Sequence, residues 1–406
     1  MNCSDIVTIA DLRNIKVLLR VDFNVPMKDG VVQDLSRIKQ VFPTIAFLKK
    51  AGAKIILMSH LGKPTEREEK LSLRNLIKTI EKEYNSNITF IDDCLDENAK
   101  RTISDSPPGD LILLENLRFY PGEIACDDGF AKKLAGLAEL YINDAFSASH
   151  RKHASICAVP KFLPHAFGLS FRNELYILDY FFNNAPSPKM IIVGGSKLST
   201  KVNLLKNLVK KTNKLALGGG IAGAFLAYHE NSSIKIFDGE EYANEVAEIL
   251  KNAKEHKCEL ILPVDFSALV SKYDHSDYAV ISSSNANTSI FDIGPESVEL
   301  FKRHLRESAC VLWNGPLGLF ERTPFDFGTI SVAREVAALS RRGKLVSITG
   351  GGDTAFAMSK FGITKDLTYQ STSGGAFLTY LEENALPGII AMKYPLTLDF
   401  AVPSEE

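Results

Sequence analysis

The sequence lacks the cysteine patterns that mark disulfide-rich and zinc-binding proteins. Its six cysteines are scattered, with no CxxC pair and no ligand-like spacing, at Cys3, Cys94, Cys126, Cys157, Cys258 and Cys310. A chain of 406 residues is also long enough to bury a core without disulfide bonds. We therefore expect reduced thiols and no zinc site.

Long apolar runs and an excess of charge are absent as well. No segment approaches the roughly 20 apolar residues of a membrane span, and the N-terminus has no cationic stretch followed by an apolar one. With 47 basic and 49 acidic side chains, the formal charge of −2 creates no overall field that would attract a nucleic acid or a membrane. The sequence predicts a cytoplasmic protein without either partner.

Short apolar runs alternate with stretches of helical period, which predicts βαβ units and parallel sheets. The expected strands are residues 15–19, 54–58, 111–114 and 140–142 in the first half, and 190–193, 215–217, 260–264, 311–313 and 345–348 in the second. Helices are expected over 242–253 and 331–339. The length favours two domains. A helix over 173–182, followed by the proline-rich stretch 183–188, is expected to lead from one domain to the other.

Charged and amide side chains follow the strands of the first half. Arg20-Val21-Asp22-Phe23-Asn24 follows 15–19, Ser59-His60-Leu61-Gly62-Lys63 follows 54–58, Glu115-Asn116-Leu117-Arg118 follows 111–114, and Asn143-Asp144-Ala145-Phe146 follows 140–142. Because parallel strands end at one edge of a sheet, this pattern predicts a site for a small anion at that edge.

The second half replaces charge with glycine. The clusters are Gly194-Gly195-Ser196-Lys197, Gly218-Gly219-Gly220, Gly350-Gly351-Gly352-Asp353-Thr354 and Ser371-Thr372-Ser373-Gly374-Gly375. Bare backbone lets N–H groups approach phosphate oxygens, and helix N-termini add positive potential. The clusters therefore indicate a nucleotide-like site. A Walker A loop, GxxxxGK[ST], is missing, so the phosphate cradle must be of another kind.

A dinucleotide fingerprint competes with this interpretation. Residues 218–223 match GxGxxG after an expected strand, and Asp238 lies 20 residues beyond Gly218. This match keeps a nicotinamide-dependent oxidoreductase open as an alternative, although it leaves Arg37, Arg118 and Arg151 without an obvious role.

Nine motifs in order resemble phosphoglycerate kinase: RVDFNVP, SHLGKP, LLENLRF, NDAFSASHRKHAS, GGSKLSTK, LPVDF, WNGPLGLFE, GGGDT and STSGGA. The resemblance implies two Rossmann-like domains, each a parallel sheet flanked by helices, joined by a hinge helix with an active-site cleft between them. It also implies reversible phosphoryl transfer from the acyl phosphate of 1,3-bisphosphoglycerate to ADP, with Mg²⁺, in glycolysis and gluconeogenesis, by a protein that acts as a monomer.

The domain boundaries follow from the same resemblance. Residues 1–168, with a returning segment of about 385–406, are expected to bind phosphoglycerate. Residues 169–184 would form the hinge helix and linker, and residues 185–384 would bind the nucleotide.

On the phosphoglycerate side, the resemblance assigns Asp22 and Asn24 to the hydroxyl and phosphate end of the triose. The basic residues completing that site would be Arg37, His60, Lys63, Arg118 and Arg151. Arg37 is the expected catalytic arginine. His150 and His153 flank Arg151, and for each a structural role and a ligand contact stay equally open.

On the nucleotide side, Lys197 and Lys201 would face the phosphates, with Lys197 also catalytic. If a helix began near Ser196, their spacing would place both on one face. Asp353 would hold Mg²⁺, and Glu321 would reach the ribose hydroxyls. The remaining nucleotide-binding residues would be Gly195, Gly218, Gly219, Gly220, Asn314, Pro316, Gly350, Gly351, Gly352 and Thr354.

Five positions depart from the family pattern, which prefers Arg, Gly, Ala, Asp and Gly where this chain has Lys63, Ser147, Ser196, Thr200 and Ser373. The departures at Lys63, Thr200 and Ser373 keep a third interpretation open. In it the chain is an inactive descendant that binds nucleotide as a structural or signalling module.

Overall fold

The computed structural model describes residues 12–230, 242–269, 278–282 and 290–393. The chain divides into two compact units. Unit 1 runs as far as Tyr176 and resumes at Ala385, and unit 2 is Ile177–Asn384. Across the described residues, no helix combines the length and the apolar character needed to cross a membrane.

Unit 1 is built on a parallel sheet with strand order β5-β6-β4-β1-β7-β8. Its strands are β1 Lys16–Arg20, β4 Lys54–Met58, β5 Ile88–Ile91, β6 Leu111–Leu114, β7 Leu140–Asn143 and β8 His165–Phe167, and a small hairpin pairs β2 Met27–Lys28 with β3 Val31–Val32. The helices are α1 Ser36–Lys50, α2 Ile77–Tyr84, α3 Glu97–Asp105, α4 Pro121–Ile124 and α5 Asp128–Ala135.

The central strands of unit 1 are apolar except at their ends, as is typical of a parallel sheet covered by helices on both faces. Strand β6 is buried at every position, and β4 at every position after Lys54. The expected strands 54–58 and 111–114 are confirmed to the residue. Strands β1 and β7 each extend one residue beyond the expected run, so that Arg20 and Asn143 are the last residues of buried strands.

Helix α6, Leu169–Asp179, continues into a π-helical turn over Tyr180–Asn184. The expected helix over 173–182 therefore exists but begins four residues earlier. The boundary between the two units falls within α6, after Tyr176.

Unit 2 contains a parallel sheet with strand order β11-β10-β9-β15-β16-β17. Its strands are β9 Lys189–Val193, β10 Lys214–Leu217, β11 Glu259–Ile261, β15 Cys310–Asn314, β16 Val346–Gly350 and β17 Tyr369–Gln370. The helices are α7 Val202–Leu208, α8 Gly219–Glu230, α9 Ala243–Glu255, α10 Pro295–Arg306, α11 Phe327–Arg341, α12 Gly352–Lys360 and α13 Gly375–Glu383.

A second sheet in unit 2 corrects the expected strand 260–264. The parallel strand ends at Ile261, and the chain then enters an antiparallel sheet of β13 Tyr278–Ser282, β12 Asp265–Leu269 and β14 Ile290–Ile293. The amides of Val264 and Asp265 donate to the Ser297 hydroxyl at 2.9 and 3.1 Å instead of to a neighbouring strand. Pro263 has no amide hydrogen to donate, so the parallel ladder cannot continue through it.

The chain returns to unit 1 in helix α14, Pro387–Ala391. Leu386, Ile389 and Met392 are buried, and the Gly388 amide donates to the Ser149 carbonyl at 2.9 Å. A Cβ atom on Gly388 would lie 2.7 Å from the Ser149 side chain. The returning segment therefore packs directly behind the loop that carries His150 and Arg151.

Replacing Gly388 with alanine should destabilise unit 1. The added methyl group would lie 2.7 Å from Ser149 and 2.9 Å from Ile156 Cγ2, and overpacking of this kind costs about 1–3 kcal/mol. Gly136→Ala is the matched control, because its Cβ would meet carbonyl oxygens at an ordinary 3.4–3.5 Å. Urea unfolding followed by far-ultraviolet circular dichroism should give a lower midpoint for Gly388→Ala alone. Equal midpoints for the two variants would contradict the packing described here.

Candidate functional site

The carboxyl ends of β1, β4, β6 and β7 gather polar side chains at one edge of the unit 1 sheet. We call this group the basic cluster; its members are Asp22, Asn24, Arg37, His60, Arg118 and Arg151. The parallel pairing of β1 with both β4 and β7 explains why residues so distant in sequence meet.

Asp22 lies at the centre of the basic cluster. One carboxylate oxygen accepts from the Asn24 amide at 3.0 Å, and the other lies 3.0 Å from Arg37 Nη1 and accepts from the Ser147 hydroxyl. Arg37 also donates to the Asn24 carbonyl at 2.8 Å. Arg37, in the first turn of α1, is therefore held by one ion pair and one backbone bond, and its side chain stays 28% exposed and open to a ligand.

The backbone of Gly62 links Asn24 and Arg118, two members of the basic cluster. Its amide donates to Asn24 Oδ1 at 2.8 Å, and its carbonyl accepts from Arg118 Nη1. Arg118 is buried, and its Nε has no hydrogen-bond partner within the described chain. A buried donor without a partner is costly, so an anion in this position would be stabilised by it. Lys63 follows Gly62, and its side chain is exposed.

His60 of the basic cluster and the neighbouring His150 and His153 all have lowered pKa values. His60 is buried, and burial, followed by the charges of Arg20 and Arg151, lowers its pKa well below the ordinary value. Burial and Arg20 also lower the pKa of His153 to about 4. His150 Nε2 accepts from Arg151 Nε at 3.3 Å. The positive charge of the cluster at neutral pH therefore comes from its arginines.

Four glycine-bearing loops lie at the carboxyl edge of the parallel sheet in unit 2. They follow β9, β10, β16 and β17, and three of them lead directly into helices α8, α12 and α13. We call these segments, residues 194–201, 218–220, 350–354 and 371–375, the glycine loops. The loop after β17 also lies at this edge, although the sequence analysis did not predict β17 itself.

The glycine loops touch each other through bare backbone. A Cβ on Gly194 would lie 1.9 Å from the Pro316 carbonyl oxygen, and one on Gly220 would lie 2.2 Å from the Ser196 oxygen. No side chain fits at either position. The loops after β9, β10 and β15 are therefore in direct backbone contact.

Lys201 corrects one expectation about these loops. Helix α7 begins at Val202, not near Ser196, so Lys197 and Lys201 do not share a helix face. Lys201 Nζ instead donates to the Gly194 carbonyl at 2.7 Å and to Asn314 Oδ1 at 2.6 Å, whereas the Lys197 side chain is exposed. Burial lowers the pKa of Lys201 to about 8, with Asp353 and Glu382 acting in the opposite direction.

Asn314 and Thr354 connect the loops across the sheet. Asn314 Nδ2 donates to the Gly350 carbonyl at 2.7 Å, and Thr354 Oγ1 accepts from the Gly315 amide at 2.7 Å. Thr354 is buried, while Asp353, one residue earlier in the first turn of α12, is exposed. Glu321 is likewise exposed.

Asp353 offers the chemistry that Mg²⁺ requires. Magnesium in nucleotide sites is held by one or two carboxylates together with phosphate oxygens and water. An exposed carboxylate beside the glycine loops fits this arrangement. No cluster of three or more His, Cys, Asp or Glu side chains that could hold a metal ion by itself occurs in the part of the chain that the structure describes.

Sequence reasoning singled out Arg20 but missed its buried companions Glu123 and Ser155 behind the basic cluster. Arg20, Glu123 and Ser155 are all buried, and Arg20 contacts His60. Arg20 is the first residue of the RVDFNVP motif and the last residue of the buried strand β1. An arginine at such a position indicates that a polar partner must be buried with it. Asp238, on which the dinucleotide alternative depended, lies outside the described residues.

Comparison with known proteins identifies the family. The family model for phosphoglycerate kinase matches residues 7–384. A phosphoglycerate kinase of Wolbachia pipientis wMel is 44% identical over 389 residues, covering 94% of this chain and 97% of that protein. One of Brucella melitensis is 42% identical over 390 residues, covering 95% and 98%. The solved phosphoglycerate kinase of Coxiella burnetii superposes with a TM-score of 0.86 at 34% identity, covering 96% of this chain and 98% of that one.

The low pKa of Lys201 can be measured directly. In protein labelled with ¹³C at lysine Cε, one resonance should titrate near pH 8, since burial disfavours the charged amine. Because folding lowers this pKa from 10.5, the buried charge costs stability below about pH 8, and the cost disappears as the pH rises toward 10.5. Lys201→Arg should remove this resonance and Lys210→Arg should keep it. Its persistence in Lys201→Arg would refute the assignment.

Proposed function

Because the chain belongs to the phosphoglycerate kinase family, we propose that its two units divide the family's reaction between them. That reaction is reversible phosphoryl transfer from the acyl phosphate of 1,3-bisphosphoglycerate to ADP, giving 3-phosphoglycerate and ATP, a step of glycolysis. The chain is thus a transferase with a carboxyl group as acceptor. The observation that carries the division is that the basic cluster lies in unit 1 and the glycine loops lie in unit 2.

We infer that residues 1–168 and about 385–406 bind the triose, that 169–184 link the domains, and that 185–384 bind the nucleotide. In unit 1, Asp22 and Asn24 would contact the hydroxyl and phosphate end of the triose. The surrounding positive charge would come from Arg37, Lys63, Arg118 and Arg151, with His60 as a further contact. The unpartnered Nε of buried Arg118 supports a phosphate at this position.

In unit 2, we infer that the glycine loops bind the phosphates of ATP and ADP. Their supporting features are bare backbone at a sheet edge and a desolvated Lys201. Lys197, which is exposed in the same loop as Lys201, would contact the phosphoryl group during its transfer. The adenine pocket would be walled by Gly218–Gly220 and Pro316, Glu321 would reach the ribose, and the phosphates would meet Gly195, Lys201, Asn314, Gly350, Gly351, Gly352 and Thr354.

Asp353 is the proposed ligand of Mg²⁺, as its exposed carboxylate permits. When bound there, Mg²⁺ would neutralise charge on the nucleotide phosphates. From the family resemblance, we infer that the protein acts as a monomer. We also infer that it works in the cytoplasm.

The reaction requires little acid–base catalysis by the protein. In the ATP-consuming direction the nucleophile is a carboxylate that is already ionised at neutral pH, so no general base is needed. Charge must instead be neutralised as the phosphoryl group passes between two oxygens. Arg37 from unit 1, with Lys197 and the glycine-loop amides from unit 2, would stabilise that charge. Direct transfer also requires the two bound substrates to meet in a site from which water is excluded.

A coupled assay tests the activity. With 3-phosphoglycerate and Mg-ATP, the protein should form an acyl phosphate that a coupling dehydrogenase reduces. Turnover would exclude the inactive-descendant interpretation that Lys63, Thr200 and Ser373 raised. Omitting 3-phosphoglycerate should abolish the signal, because ATP alone offers no acceptor. ATP binding without turnover would contradict the proposal.

Arg37→Ala should lower kcat far more than it weakens nucleotide binding. A cation that faces the charge developing in the transition state, in a site without water, increases kcat by about 10²- to 10⁵-fold. The comparison variant is Lys201→Ala, which should weaken ATP binding as well as the rate, because Lys201 lies among the glycine loops. Calorimetric titration with ATP and steady-state kinetics separate the two effects. Wild-type turnover in Arg37→Ala, or a loss of ATP affinity equal to that of Lys201→Ala, would remove Arg37 from the catalytic step.

A further inference from the structure

A chain of buried side chains runs through unit 1 to His60. Glu123 on α4, Ser155 in the turn Ala154–Ala158, and Arg20 at the end of β1 are each 0% exposed. Ser155 Oγ lies 2.6 Å from Glu123 Oε1 and 2.9 Å from Arg20 Nε. Arg20 Nη2 lies 3.1 Å from His60 Nδ1. The four side chains therefore form one continuous hydrogen-bonded series.

The direction of each hydrogen bond follows from the chemistry of its members. A guanidinium group has only donors, so Arg20 Nε donates to the Ser155 oxygen and Nη2 donates to His60 Nδ1. The Ser155 hydrogen is then free to be donated to Glu123 Oε1. Since Nδ1 accepts a hydrogen bond, it carries no proton. His60 must then be a neutral imidazole with its proton on Nε2.

Glu123 supplies the negative charge that a buried arginine requires. Its second oxygen accepts from the Ser155 amide at 2.9 Å, which fixes the carboxylate at both ends. Burial raises the pKa of Glu123, while Arg20 and Ser155 favour the charged form. An arginine buried without such compensation would carry a large desolvation penalty. The carboxylate is thus coupled to Arg20 through one serine hydroxyl.

Ser155 is itself held in place. Its carbonyl accepts from the buried Tyr141 hydroxyl at 2.7 Å. Arg20 Nη1 also donates to the Val21 carbonyl, so the guanidinium is fixed on three sides. The plane of the guanidinium, and with it the approach of Nη2 to His60, is set by groups that do not belong to the basic cluster.

We propose that Glu123, Ser155 and Arg20 are positioning residues that keep His60 neutral and in the Nε2–H form, so that it presents one N–H donor to the phosphate of the bound triose. This inference rests on the proposed function of His60. A neutral donor adds a directed hydrogen bond to a site whose charge comes from arginines. In the opposite tautomer, Nδ1–H would face Arg20 Nη2–H, and two donors would meet.

Nitrogen chemical shifts test the tautomer in the absence of any substrate. Of the eight histidines, His60 is identified in ¹⁵N-histidine-labelled protein by the signals lost in His60→Gln. At pH 7 its Nδ1 should resonate as an unprotonated nitrogen and its Nε2 as a protonated one. Ser155→Ala breaks the series and should shift both resonances toward the average of a tautomer mixture. A proton on Nδ1 in the unaltered protein, or an unchanged spectrum in Ser155→Ala, overturns the inference.

Kinetics test the consequence for the substrate. Ser155→Ala and Glu123→Gln should raise the KM for 3-phosphoglycerate by about twofold for an even tautomer mixture and by up to about tenfold if the Nε2–H donor is lost, with the KM for ATP unchanged. The value of kcat should stay within about twofold, because the loss falls on binding. Ser106→Ala, which deletes a buried hydroxyl bonded to the Thr102 carbonyl at 2.8 Å in the same unit, should leave both constants unchanged.

The two measurements separate failure of the inference from failure of the proposed function. If His60→Gln binds 3-phosphoglycerate as well as the unaltered protein, the proposed role of His60 is wrong, whatever the spectrum shows. If His60→Gln raises KM but Ser155→Ala does not, the positioning inference is wrong while the function stands. Should Glu123→Gln fail to fold, Ser155→Ala alone decides, since it leaves the carboxylate in place.

Discussion

Parallel strand pairing is the constraint on which both candidate sites depend. Parallel strands all end at the same edge of their sheet, so the segments after β1, β4, β6 and β7 are neighbours although more than a hundred residues separate the first from the last. The same holds for β9, β10, β16 and β17 in unit 2. The burial that parallel sheets require also keeps their strands apolar, which moves the polar residues to the strand ends.

The two candidate sites are built from different groups. In unit 1 the arginines are partly neutralised and aligned by a carboxylate, as Asp22 does for Arg37. In unit 2 the glycine loops combine bare backbone with a lysine that is held by Gly194 and Asn314. The partly buried Lys201 ammonium group contacts a carbonyl and an amide oxygen instead of water. Its positive charge is therefore poorly compensated in the absence of a ligand.

The sequence predicted the parts of the fold that depend on local pattern. Strands β4 and β6 are uninterrupted apolar runs, and their limits were found to the residue. Strand β12 mixes Asp265 and Ser267 with apolar residues and pairs with antiparallel neighbours, so no apolar run marked it. The motifs located the members of the basic cluster, but the bond from Arg20 to Ser155 spans 135 residues and depends on tertiary packing alone. The start of α7 at Val202 was missed because residues 199–201 form a turn that no Gly or Pro marks in the sequence.

The return of the chain to unit 1 in α14 has a consequence for biosynthesis. A ribosome delivers the chain from its N-terminus, and domains generally fold as units once their residues have emerged. All of Ile177–Asn384 emerges before Leu386, Gly388 and Ile389, which pack behind the Ser149 loop. Unit 2 can therefore complete its core while unit 1 still lacks a piece. The loop bearing Arg151 reaches this support only when α14 has left the ribosome.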